Sequence, residues 1–232
     1  MAAEVLEAVA GDLEEVEKII GRYLKVRSGH LTDFAHLEAD GYERWLRPAA
    51  VLLISRIFGY KGQKAPALAA VVQLIYLAAR IHRQVPDTHP AGEEIDPRDG
   101  TQLPVLVGDY LYGRFFTTLC EADLLEFLGP LADIIRKINE AAVLRLQGHQ
   151  LDWPEEEKEL LAGGCRLASR LARVDSSREE EAYQLGLALA RKDEWQALKI
   201  IASWPECQEK QDLTWLINWY CNAENQLLME RR

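Results

Sequence analysis

The residues best equipped for chemistry fall close together: His82, Asp87, His89, Glu93, Glu94 and Asp96. Imidazole and carboxylate groups are the ordinary ligands of divalent metals. Their spacing matches no ligand set on one helix face. Pro86, Pro90 and Pro97 run through the stretch, which reads as a solvated loop rather than a metal site. A second carboxylate pair, Asp193 and Glu194, stands late in the chain. Asp109 lies in an otherwise apolar helical segment and reads as a fold residue near a helix start, not a catalyst. No Ser/His/Asp order, phosphate-binding P-loop or glycine-rich dinucleotide motif is present.

The composition narrows the classes. The chain has 232 residues, 48% of them hydrophobic, which suffices for a substantial core. The net charge of −10 argues against a nucleic-acid partner, because phosphate binding needs a basic face. Cys120, Cys165, Cys207 and Cys221 form no C-x-x-C pair and read as reduced thiols. No apolar run reaches the length of a transmembrane segment, and the acidic N-terminus lacks the basic start of a signal peptide. A cytoplasmic location is the expectation.

These residues need elements to hold them, and the pattern is helical almost throughout. Val5, Val9, Leu13, Val16, Ile20 and Leu24 form one stripe over residues 2–26. A polar connector follows over 27–40. A short apolar helix with Pro48 near its start ends around Phe58. The next, from Pro66 to about Gln84, is apolar nearly all round and belongs at the centre of a bundle. An exposed loop follows over 86–104. Further helices are expected over roughly 104–119, 121–149, 155–174, 177–203 and 208–230. The fold class is all-α, a single-domain bundle of long helices spanning 1–232.

Several segments, taken in order, resemble the trans-isoprenyl diphosphate synthase family. Arg44-Trp-Leu-Arg-Pro48 is similar to its Gly-Lys-Arg-x-Arg-Pro. Gln73 to Asp87 resembles the helix ending in His-Asp-Asp-x-x-Asp, and Gly108-Asp-Tyr-Leu111 matches a following helix. Tyr183 to Ala197 resembles the approach to a second aspartate motif. The resemblance covers about residues 1–200 and implies an isoprenoid-synthase-like bundle. In such enzymes the two motifs face each other and hold Mg²⁺ on an allylic diphosphate, whose departure leaves a cation for isopentenyl diphosphate to attack.

The departures concern the carboxylates. His82 matches the motif histidine, but Arg83 and Gln84 stand on the first two aspartates, and Asp87 matches the third. In the second motif Asp193 and Glu194 remain, Ala197 replaces the last carboxylate, and the family's Lys-Thr pair is absent near Gly163. The chain stops without the family's Lys-rich region and last helices, and reads as C-terminally shortened. Mg²⁺ takes hard oxygen ligands, and arginine is the opposite of one. A metal clamp is worth several kcal/mol, so at tenfold per ~1.4 kcal/mol its loss costs on the order of thousands-fold in rate.

The resemblance therefore implies a non-catalytic or regulatory subunit of a polyprenyl diphosphate synthase, heptaprenyl-type, serving a quinone side chain. Its partner would be a catalytic subunit with intact motifs, or a second copy in a homodimer. No cofactor is expected. Two alternatives stand beside it. One is a weak prenyltransferase using Mg²⁺ through Asp87, Asp193 and Glu194. The other is a metal-independent prenyl diphosphate binder using Arg44, Arg47 and Arg83, since guanidinium matches phosphate bidentately. Ion pairing is the plainer role for those arginines. Ala78 and Ala79 stand where the family sets product length, and either open a tunnel floor or let helices pack closely. Trp215 and Trp219 read as interface anchors or as packing within the fold.

Overall fold

The computed structural model describes residues 6–26, 29–30, 41–85, 102–149 and 155–230. Asp87, His89, Glu93, Glu94, Asp96 and most of the expected 27–40 and 86–104 loops lie outside the described residues. Nine α-helices account for nearly everything described: α1 (Ala10–Leu24), α2 (Gly41–Ile57), α3 (Lys64–His82), α4 (Gln102–Glu121), α5 (Leu128–Leu146), α6 (Glu155–Leu171), α7 (Ser176–Ala190), α8 (Glu194–Ile201) and α9 (Gln208–Glu230). Short 3₁₀ turns precede α1 (Glu7–Val9) and α5 (Leu125–Phe127). The chain is an all-α fold, as its periodicity indicates.

α3 is the axis. Its residues from Ala65 to Ala79 are all buried, and it packs against α1, α2, α4 and α6. Among the described residues it alone is long and apolar enough to cross a membrane, yet nearly all of it is enclosed by the other helices. Such all-round apolarity is what a central bundle helix requires. Pro66 falls in its first turn, where a missing N–H costs nothing.

Four boundaries differ from the sequence reading. Pro48 lies well inside α2 rather than near its start. Burial of Leu46, Arg47, Ala49 and Ala50 on either side holds the helix through the imino acid. The helix expected from 121 begins at Leu128, because the chain turns at Asp123 with φ 53° before the 3₁₀ turn. Lys64 Nζ reaches that turn, donating to the Asp123 carboxylate at 2.8 Å. The first helix, expected to 26, ends at Leu24, and Lys25–Val26 (β1) pairs with Gly29–His30 (β2) as a two-residue antiparallel ladder that runs into the expected connector.

The fourth difference bears on function. The single helix expected over 177–203 is two helices, α7 and α8. Lys192 takes φ 54°, and the Asp193 carboxylate accepts from the Gln196 backbone N–H at 3.0 Å, starting a new helix. Asp175 caps α7 in the same way, accepting from the Ser177 and Arg178 N–H groups.

α6 and α7 pack closest of all. A Cβ on Gly186 would lie 2.4 Å from Ala162 Cα and from the Leu161 carbonyl oxygen. The core also fixes thiol behaviour. Burial pushes the Cys165 thiol up to about 12 and Cys221 up to about 11, whereas Cys120 is exposed. Maleimide titration at neutral pH should label Cys120 fast in the native protein and Cys165 only after denaturation. Equal native rates would contradict the packing.

Candidate functional site

The C-terminal end of α3 meets the middle of α4 around His82. A Cβ on Gly108 would lie 2.1 Å from the imidazole, so glycine is what lets that ring lie against α4. Its Nε2 is 3.3 Å from Asp109 Oδ1, an ion pair when the ring is protonated rather than an aligned hydrogen bond. The ring also lies 5.4 Å from Tyr112. His82 and the Gly108-Asp109 segment, far apart in sequence, are thus one packed unit. Arg83 and Gln84 follow on the exposed last turn; the Arg83 N–H bonds the Ala79 carbonyl and that of Gln84 bonds Ile81.

The three arginines chosen from sequence have different surroundings. Arg44 is exposed, pairs with Glu17 on α1 and lies over the Trp45 ring. Arg47 is 1% exposed, with its guanidinium carbon 3.3 Å above the Tyr76 ring centroid. Its Nη2 donates to Glu157 Oε2 at 2.5 Å. Burial alone would lower the Arg47 pKa, but Glu157 and Tyr76 outweigh it and raise it, so the guanidinium stays charged. Arg80 Nη1 donates to the Tyr76 hydroxyl at 3.1 Å. Two residues further along α6, on a different face of the helix, the buried Glu159 accepts from Lys137 Nζ at 2.8 Å. Sequence reasoning singled out neither Glu157 nor Glu159.

The late carboxylates are held by local structure. Asp193 caps α8, and Glu194 Oε2 accepts from Asn222 Nδ2 of α9 at 3.1 Å. Removing this cap, Asp193→Ala, is expected to cost about 1 kcal/mol of stability, visible as a lowered denaturant midpoint. An unchanged midpoint would remove the capping role. Ala78 and Ala79 are buried within the core. Trp215 and Trp219 stack at 5.7 Å and pack against that core, whereas Trp195 is 69% exposed.

Mg²⁺ needs several convergent oxygen ligands. Arg83 is a cation, Gln84 offers a neutral amide, and Asp193 and Glu194 are engaged as described. Among the described residues no three His, Cys, Asp or Glu side chains converge. The described motif positions do not fit the ion, and no step through it follows from them. On the outer surface, α4 exposes Leu103, Leu106 and Phe116, and α5 exposes Val143 and Leu146.

No family model matches the chain. It is 25% identical over 146 residues to octaprenyl diphosphate synthase of Escherichia coli K12, covering 62% of this chain and 45% of that protein. It is 28% identical over 117 residues to heptaprenyl diphosphate synthase component 2 of Geobacillus stearothermophilus, covering 49% and 36%. The chain spans about half the length of the curated relatives it matches. Its fold superposes with a TM-score of 0.77 on a decaprenyl diphosphate synthase from Rhodobacter capsulatus, at 18% identity, covering 96% of this chain and 99% of that one.

Proposed function

We propose that this chain, a trans-prenyl diphosphate synthase relative in sequence and fold, serves polyprenyl diphosphate synthesis as a non-catalytic subunit of a larger synthase. The observation that carries the reading is the state of both carboxylate positions. Arg83 and Gln84 occupy the first, and the carboxylates of the second are bound into a helix cap and an interhelical hydrogen bond. The chain's own residues then supply architecture: α3 and α4 locked through His82 and Gly108, and a charged Arg47 enclosed between Tyr76 and Glu157.

The partner is a catalytic subunit with intact aspartate motifs. The likeness to a protein described as component 2 of a heptaprenyl diphosphate synthase supports a multi-component enzyme of that kind. The apolar outer faces of α4 and α5 supply a surface for such a subunit, since exposed apolar patches mark association sites. Co-expression with an aspartate-rich synthase should give a co-purifying pair. Leu106→Glu with Phe116→Glu, on the exposed side of α4, should abolish it while leaving the helical circular dichroism unchanged. A stable homodimer that ignores that subunit would reject the hetero-oligomer.

A further inference from the structure

Building on the subunit role proposed above, we infer that Arg114 on α4 is the charged anchor of that contact, taking a carboxylate side chain of the catalytic subunit. Arg114 is half-buried. Its guanidinium carbon lies 4.6 Å from the Tyr110 ring centroid and 5.4 Å from that of Tyr23, in the last turn of α1. Both rings are fixed in turn. The Tyr110 hydroxyl donates to the Tyr23 carbonyl at 3.1 Å, and the Thr118 hydroxyl donates to the Tyr23 hydroxyl at 3.1 Å. The cation is held in place before any partner arrives, so little side-chain freedom is left to lose on binding.

What the rings leave open is the N–H fork. Among the described residues no acceptor meets it, whereas Arg44, Arg47, Arg56 and Arg136 each meet a carboxylate. Acids are not lacking in a chain of net charge −10. Arg22 approaches the same Tyr23 ring at 5.7 Å, with only Glu121 at 3.9 Å to balance it, so the spot is locally cationic. Beside the fork, Gly113 is exposed, and a Cβ there would meet nothing within 4 Å. No packing within the chain explains a glycine in mid-helix, where it weakens the helix, but close approach of a second chain does. Leu106, two turns earlier on the outward side, is 64% exposed and joins the spot to the apolar face of α4. An arginine ringed by aromatic and apolar surface is the composition of a protein interface anchor. One guanidinium fork matches one carboxylate bidentately, while a polyphosphate would call for more cations.

The test is calorimetric titration of the full chain with the aspartate-rich subunit that co-purifies with it, at low and at high salt. The unaltered chain should bind and weaken as salt rises. Arg114→Gln should bind at least about thirtyfold more weakly and lose much of the salt dependence. Arg114→Lys keeps the charge without the fork and should fall between the two. Gly113→Leu keeps the test open if Arg114→Gln loosens the fold. It touches nothing in the chain, so its melting temperature should hold or rise, while binding falls by at least about tenfold. No binding by the unaltered chain would overturn this anchor together with the subunit role. Binding that survives Arg114→Gln and Gly113→Leu undiminished would overturn the anchor alone and leave the subunit role standing. Self-association of the chain that is lost in the same variants would give the face to a second copy and overturn the catalytic subunit as its occupant.

Discussion

Gly186→Ala is expected to destabilise the protein by about 3 kcal/mol, at the upper end of the range for overpacking a tight core. The added Cβ would lie 2.4 Å from the backbone of α6, at Ala162 Cα and the Leu161 carbonyl. Backbone cannot rotate aside, so α6 and α7 must separate along their contact. At roughly 2–4 °C per kcal/mol for a chain of this size, the melting temperature should fall by roughly 6–12 °C. Gly163→Ala is the control. Its Cβ would meet the Ile134 side chain at 2.3 Å, a flexible terminus that can repack. That substitution should cost only about 1 kcal/mol. Equal midpoints for the two variants in urea would show that the α6–α7 approach is looser than described.

The second large effect concerns the enclosed ion pair. Glu157→Gln takes the carboxylate from a guanidinium with almost no access to water and should cost about 3–5 kcal/mol. Arg47→Met leaves the carboxylate instead. Glu157 is 19% exposed and can turn to solvent, so the cost should be smaller, about 1–3 kcal/mol. The double variant should be more stable than Glu157→Gln alone, because no charge is stranded. A double-mutant cycle in urea gives the coupling directly. Additive costs would mean that the two side chains do not share one charge balance.

The fold was largely legible from sequence, and the reasons are visible in particular elements. α3 is apolar nearly all round, the pattern expected of a central bundle helix, and it is the axis of the bundle. α9 was placed at 208–230, and α6 from 155, by their periodicity. The break between α7 and α8 was missed. Asp193 reads in sequence as a remnant motif carboxylate, and its use as a cap accepting the Gln196 N–H is a local competition that apolar spacing does not register. The turn at Asp123 was missed for a related reason, since nothing in the pattern forces φ 53° on a non-glycine residue.

The site was legible only in part. The His82 helix and the Gly108-Asp-Tyr-Leu segment read in sequence as successive motifs, and the structure packs His82 directly against Gly108. Arg44, Arg47 and Arg83 read as diphosphate candidates or, more plainly, as ion-paired residues; Arg44 lies exposed against Glu17 and Arg47 is enclosed with Glu157. Partners more than 100 positions apart, such as Arg47 and Glu157, leave no mark in local sequence. Asp87, the third carboxylate of the first motif, lies outside the described residues.

As the non-catalytic subunit proposed above, this chain would contribute architecture rather than ionisation chemistry to prenyl chain elongation. The direct measurement is incorporation of labelled isopentenyl diphosphate with farnesyl diphosphate and Mg²⁺. It is made on the chain alone, on an aspartate-rich synthase subunit alone, and on the two mixed. A non-catalytic subunit gives background counts for the chain alone and a several-fold rise, with altered product length, in the mixture. Sustained turnover by the isolated chain, abolished by Asp193→Ala with Glu194→Ala, would contradict it.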